Sequence, residues 1–354
     1  MGEAMKKWLS TVGIAVLATS LIQAHSILPV KPVPLPDPIP PILFPNGQSF
    51  LIPTCEVGVS YLGGNAGQIE NRVGTSGVIE TRTASGPSEG QILTAPVPWV
   101  NGFELNFVGS TAGLGFNTIA LNYTLLTGNS TTNTVTSDAA SPNILPSFAL
   151  NNATGATDLV VGVSSTYSMP TFQDATLTFS KSLLMNPYLS VLFLTGLHGF
   201  ALNHTLNVQY TDTSAGITSL TMQEVSYGAG PLIGFITSKK FTEGFAIRGV
   251  FAASAPLSNN SLTQSDSYLL GTSKTYGYNT TSSTQLSQYF VAHLDLELVF
   301  RTLHFLSLSV DTVLAWHVKQ YLNISYLTAM SNNQNAAPST IQTDTLRLGI
   351  LFNF

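Results

Sequence analysis

Two short stretches hold the residues with the most chemistry. In "QYFVAHLDLELVFR" His293, Asp295, Glu297 and Arg301 fall at odd positions, and in "HFLSLSVDTVLAWHVKQY" so do Asp311, His317 and Lys319. Histidine beside carboxylates is the material of general acid–base catalysis and of metal ligation. Catalysis also needs a nucleophile or an activated water held against the base within hydrogen-bond reach, and spacing alone does not supply one. A solvated passage lined with paired charges accounts for the same residues, so no catalytic residue, no metal and no cofactor is expected. The glycine-rich "GAGPLIG" (228–234) would need a preceding strand and a following helix to cradle phosphate. The "FITSKKF" that follows does not open a helix, and the glycines read as a bend or bulge in a strand.

The elements that position these residues alternate. Phe290, Ala292, Leu294, Leu296, Leu298 and Phe300 interleave with the first charged set, and Leu306, Leu308, Val310, Leu314, Trp316 and Val318 with the second. The final "TDTLRLGILFNF" repeats the pattern with Leu346, Leu348, Ile350, Phe352 and Phe354 on one face and Arg347 on the other. Period two is the mark of a strand separating two unlike surroundings. Weaker copies run through Cys55/Val57/Val59/Tyr61, Phe103/Leu105/Phe107, Ile119/Leu121/Tyr123/Leu125, Leu177/Phe179 and Phe245/Ile247/Phe251. Around 188–210 and 218–237 the faces cannot be assigned.

Composition says which surroundings. Only 9% of the residues are charged, against about 25% in soluble domains, and the mean hydropathy is +0.25. The longest apolar stretch, 182–203, is broken by Pro187, Gly196 and Gly199, which argues against a spanning helix. Lys6 and Lys7 followed by an apolar run and "AHS" predict a signal peptide over 1–26, a retained anchor being the alternative. Residues 27–53 are dense in proline and read as an extended periplasmic arm, with a recognition role as the alternative. The barrel is assigned to 54–354. A single cysteine, Cys55, excludes an internal disulfide framework and reads as an inert thiol, an intermolecular bridge being the other use. The net charge of −5 argues against nucleic acid as a partner.

Links between the expected strands alternate long and short, as in transmembrane barrels with tight periplasmic turns and larger outer loops. The long links (127–172 and 256–285 among them) are rich in Ser, Thr and Asn and read as solvated loops. The count is about ten strands (range 8–12), all-β and antiparallel, and a sheet inside lipid must close on itself so that no backbone group is left unpaired. Glu56, Glu104, Asp174, Arg248, Asp295, Glu297, Arg301, Asp311, Lys319 and Arg347 are then lumen-lining, with Asp295, Glu297 and Asp311 expected to make a negative wall. Seven Asn-x-Ser/Thr sequons keep a secreted all-β adhesin as a rival, although Asn122 falls inside an expected strand.

From about Thr54 onward the chain resembles the pore-forming major-outer-membrane-protein family of Legionella and chlamydia-like bacteria. "NGFELNFVG", "NTIALNYTLLTG", "GAGPLIG", "LDLELVFR", "VDTVLAWHVKQY" and "LRLGILFNF" carry the resemblance, in that order; the chain departs from the family at Leu232 and Val299, and with Cys55 alone it lacks the cysteines of the cross-linked chlamydial members. The resemblance implies an abundant porin in the outer membrane of a Gram-negative bacterium, passing ions or small polar solutes passively. A structural or adhesive surface barrel with little conductance is the alternative. The terminal Ile350, Phe352 and Phe354 resemble the signal read by the barrel-assembly machinery. Expected partners are that machinery, outer-membrane lipid and host or envelope surfaces met by the loops, with a homo-oligomer left open.

Overall fold

The computed structural model describes residues 55–68, 72–76, 91–111, 116–136, 144–146, 160–186, 188–212, 216–270, 273–305, 308–325 and 339–354. The expected signal peptide and proline-rich arm lie outside these. The described elements are all strands: β1 (Cys55–Gln68), β2 (Arg72–Ser76), β3 (Gln91–Thr94), β4 (Trp99–Ser110), β5 (Thr118–Gly128), β6 (Thr131–Thr136), β7 (Leu145–Pro146) and β8 (Gly162–Met185) come first. They are followed by β9 (Leu189–Thr211), β10 (Ile217–Thr242), β11 (Phe245–Ser254), β12 (Leu257–Leu270), β13 (Ser273–Gln288), β14 (Phe290–Phe305), β15 (Leu308–Ser325) and β16 (Ser339–Asn353).

Ten of them close into a ring, in the order β1, β4, β5, β8, β9, β10, β11, β14, β15, β16. β16 returns to β1 in antiparallel register from Glu56↔Asn353 to Gln68↔Ile341. The register fixes the geometry. From Tyr61 one row of pairs passes through Phe103, Leu125, Gln173 and Ala201 to Tyr227. In the other direction it passes through Leu348, Leu314, Leu298 and Ile247 to Lys239. The two paths meet β10 at 227 and 239, a stagger of twelve residues (239 − 227). At about 3.3 Å per residue and about 4.8 Å between strands, this stagger tilts the strands by about 40°.

The outward face is apolar over one band. On β10 the outward residues Val225, Tyr227, Ala229, Pro231, Ile233 and Phe235 are exposed and carry no charge, and beyond them come Thr221 and Gln223. Exposed Val57, Val59, Phe103, Leu105, Leu296, Leu314, Leu346, Leu348 and Ile350 continue the band around the ring. Aromatic residues border it on both sides, as at the edges of a bilayer. On one border Asn101 Oδ1 accepts hydrogen bonds from Tyr61 (2.7 Å) and Trp99 (2.8 Å), and Trp316 donates to Asp344 (2.6 Å). On the other, where both ends of the ring's first and last strands lie, Phe245 stacks on Phe300 at 5.1 Å and Lys239 sits 5.1 Å over Phe241.

β8, β9 and β10 run for 24, 23 and 26 residues, and about 9–11 suffice to span the bilayer. Their surplus forms a raised sheet in which β6 pairs with β8 and β12 with β10 and β13. This corrects the sequence reading: the Thr- and Ser-rich segments 131–136, 257–270 and 273–288 are strands rather than loops. Threonine fits the pleated, half-exposed surface of a sheet in water, so polarity there reports location above the bilayer and not irregular structure. "GAGPLIG" lies where β10 changes partner, from β12 through Ala229 to β11 from Leu232. The opposing chain breaks at Ala255–Pro256, and a Cβ on Gly230 would lie 2.3 Å from the Ala255 oxygen.

Candidate functional site

All ten residues expected in the lumen point inward, and the structure joins all but Asp295 into ion pairs. Near the end shared by the termini, Asp311 accepts hydrogen bonds from Arg301 (3.3 Å) and Asn353 (2.9 Å), and Glu56 accepts one from Asn106 (2.7 Å). Arg248 donates to Glu297 (3.3 Å) and lies 3.8 Å from Glu56. Higher up, Arg347 donates to both Glu104 and Glu297, and His317 Nδ1 stands 3.0 Å from Asp295 Oδ1, out of line for a hydrogen bond. The expected negative wall is therefore absent: Glu297 and Asp311 are held by arginines and Asp295 faces a histidine. In a narrow interior an uncompensated carboxylate would carry a large desolvation cost, so inward positions of both signs are brought together.

At mid-height Asp174 meets three hydrogen-bond partners. His198 Nε2 is 2.7 Å from it, and Lys319 and Tyr321 both donate to it. β8 and β15, which carry Asp174 and Lys319, stand five places apart by either path around the ten-strand ring. They are opposite walls. A round barrel of this stagger would hold opposite backbones about 20 Å apart, whereas an aspartate and an extended lysine joined by a hydrogen bond span only about 12 Å. The cross-section is thus flattened along the β8–β15 direction.

His198 also approaches Ser254 Oγ at 2.7 Å through Nδ1, and His293 Nε2 lies 3.5 Å from the same hydroxyl. Asp174, His198 and Ser254 share the connectivity of an acyl-transfer relay. They are 1%, 1% and 3% exposed, with Asp174 already committed to Lys319 and Tyr321, so the group has neither substrate space nor a free carboxylate to orient the base. Among the described residues no cluster of three or more His, Cys, Asp or Glu side chains stands in position to hold a metal.

Above Asp174 the interior turns apolar. Tyr321 packs edge-on against Phe172 (5.5 Å) and Phe200 (5.3 Å), and Leu62, Val100, Leu126, Leu202, Leu206 and Met222 are buried around them. Within this packing Tyr167 Oη meets His204 Nδ1 at 2.8 Å, and His204 Nε2 meets Glu224 at 3.0 Å. The interior is filled by side chains, as the width of a narrow barrel dictates.

His198, His204, Ser254, Tyr321 and Glu224 were not singled out by the sequence reading. His198, Phe200, Leu202 and His204 do follow period two, and two histidines six residues apart share a face. The signal was hidden because that face is also rich in leucine. Cys55 is half-buried at the start of β1 as a free thiol. Phe352 and Ile350 point outward, and the Phe354 amide donates to the Cys55 carbonyl at 2.9 Å.

No family model matches the chain, and no curated protein matches it. Solved outer-membrane structures align over most of its length at low scores. The outer membrane protease OmpT from Escherichia coli has 10% identity and a TM-score of 0.42, covering 86% of this chain and 98% of that one. A Pseudomonas aeruginosa FadL homologue has 8% identity and a TM-score of 0.25, covering 88% and 94%. A TodX mutant described as a monoaromatic hydrocarbon channel has 9% identity and a TM-score of 0.22, covering 88% and 94%. Such scores carry no argument about activity, and the barrel rests on its own closed register.

Proposed function

We propose that the chain is an outer-membrane barrel with a shut resting lumen, whose standing task is to anchor and present a β-rich surface structure. Outer-membrane placement is supported by the apolar band between two aromatic borders, the even strand number and the short turns on the side of the termini. The task is carried by one observation: Lys319 and Tyr321 meet Asp174 from the opposite wall, so the polar tier is bridged across the lumen, and the apolar tier stands in series with it. This is the structural or adhesive role that the sequence leaves open, in the kind of surface protein to which the family resemblance points. The raised sheet of β6, β8, β9, β10, β12 and β13 is the part available to host or envelope surfaces, while lipid and the barrel-assembly machinery are the partners of the wall.

The test is reconstitution of the mature wild-type protein in a planar bilayer. The expected record is quiet, with brief openings at most. A steady ohmic conductance would replace this reading by passive diffusion of ions or small polar solutes. Surface presentation is checked separately by protease accessibility of β12 and β13 on intact cells.

A further inference from the structure

The contacts that fill the lumen fall into two classes by the distance they span around the ring. Most stay within one wall. Arg301–Asp311, Arg248–Glu297, Tyr167–His204, His204–Glu224 and His198–Asp174 join adjacent strands, and Arg347 reaches Glu104 and Glu297 two places to either side. Such contacts survive a change in the shape of the cross-section. The crossing hydrogen bonds are fewer and concentrated, beside a ring contact of His198 with His293 at 4.7 Å, three places apart. Lys319 and Tyr321 on β15 reach Asp174 and Phe172 on β8, and Tyr321 also reaches Phe200 on β9. The Arg248–Glu56 approach, four places apart, is 3.8 Å and outside hydrogen-bond distance.

We infer that Asp174 is the catch of a gate: Lys319 and Tyr321 pull the β15 wall onto it, and when they let go the barrel rounds out and passes small ions. This rests on the shut-lumen reading. Three features support it. The stagger of twelve residues sets a round section about 20 Å across between backbones, so the flattened state is held by side chains rather than by the hydrogen-bond ladder. The wall-to-wall hydrogen bonds come from two residues of β15, and Tyr321 also packs into the apolar cluster, so one parting movement opens the charged tier and loosens the apolar one. Asp174 keeps His198 within its own wall, the arginine pairs are untouched, and Lys319 regains water, which relieves the cost of keeping it dry. The bore so formed carries Lys319 on one side and Asp174 on the other, with the Arg347–Glu104 pair between them along one wall, a lining suited to small hydrated ions rather than to apolar solutes.

The experiment compares the full mature protein with Asp174→Asn, Lys319→Met, Tyr321→Phe and Asp174→Ala in planar bilayers, each first checked for a folded barrel by far-UV circular dichroism and heat-modifiable gel migration. Loss of a hydrogen bond to a charged group should raise open occupancy at least about tenfold in Asp174→Asn and Lys319→Met, with Tyr321→Phe between them and wild type. Tyr321→Phe keeps the ring and folds if the larger changes do not. Sodium formate, which supplies a small carboxylate, should quieten Asp174→Ala where sodium chloride at the same concentration does not. Folded variants as quiet as wild type, or an open Asp174→Ala indifferent to formate, would overturn the inference and leave the shut lumen standing. Steady conductance in wild type overturns the shut lumen itself, before any substitution is made.

Discussion

Arg347 on β16 holds its guanidinium between Glu104 and Glu297, two strands away on either side, so one cation neutralises two walls of carboxylate. Removing it strands Glu104 and leaves Glu297 to Arg248 alone. Arg347→Met should cost about 3–5 kcal/mol, the range for breaking a buried ion pair from one side. Adding Glu104→Gln should recover more than half of the loss, because Glu297 keeps Arg248 at 3.3 Å. Urea titrations of folding into lipid vesicles measure both; a double variant as unstable as the single would mean that Glu104 carries no stranded charge.

The outward face of β10 provides a depth series on one strand. Ile233→Arg, within the apolar band, should cost about 2–4 kcal/mol and Gln223→Arg, beyond it, about 0–1 kcal/mol. Leu296→Arg on β14 should resemble Ile233→Arg. Equal costs at Ile233 and Gln223 would show that the band does not face lipid.

Close approach of strands makes Gly102 sensitive. A Cβ there would lie 1.9 Å from the Leu125 oxygen on the paired strand, whereas nothing stands within 4 Å of one on Gly244 in the β10–β11 turn. Gly102→Ala should therefore destabilise by about 1–3 kcal/mol, the usual cost of overpacking, and Gly244→Ala should leave the folding midpoint within error. The same vesicle titrations decide it.

Trp99 is half-exposed at the outer aromatic border, with its indole N–H bonded to Asn101. In a Trp8→Phe, Trp316→Phe background, which leaves Trp99 as the one tryptophan, lipids brominated near the headgroup should quench its fluorescence more than lipids brominated near the chain ends. The reverse order would place this border near the bilayer centre.

How much of this was legible depends on what each face of a strand meets. β14, β15 and β16 separate lipid from a charged tier, so Leu296 alternates with Glu297 and Leu346 with Arg347, and their orientation could be read directly. β9 and β10 separate lipid from an apolar filling over much of their length. Leu192, Leu194, Phe200 and Leu202 point inward while Leu197 points out, and a strand that is apolar on both faces shows no alternation. The same cause made 182–203 look like a weak spanning helix. The pairing of inward charges was also beyond reach, because Asp174 and Lys319 are 145 residues apart and only the register around the ring makes them neighbours. Ring closure itself could be argued from Leu346 to Phe354; flattening of the ring could not.

The pairing of β1 with β16 joins Glu56 to Asn353, close to the two ends of the folded region. Time therefore enters the architecture. On the outer-membrane reading, a chain that arrives from its first strand onward exposes β1 as a bare edge until β16 joins it, and such an edge recruits any other unpaired strand nearby. Contacts so remote in sequence are also the slowest to find. Safe assembly of this protein thus depends on something that shields the first strand until the last one reaches it, and a lesion in β16 should be felt first as aggregation of newly exported chains rather than as loosening of finished ones.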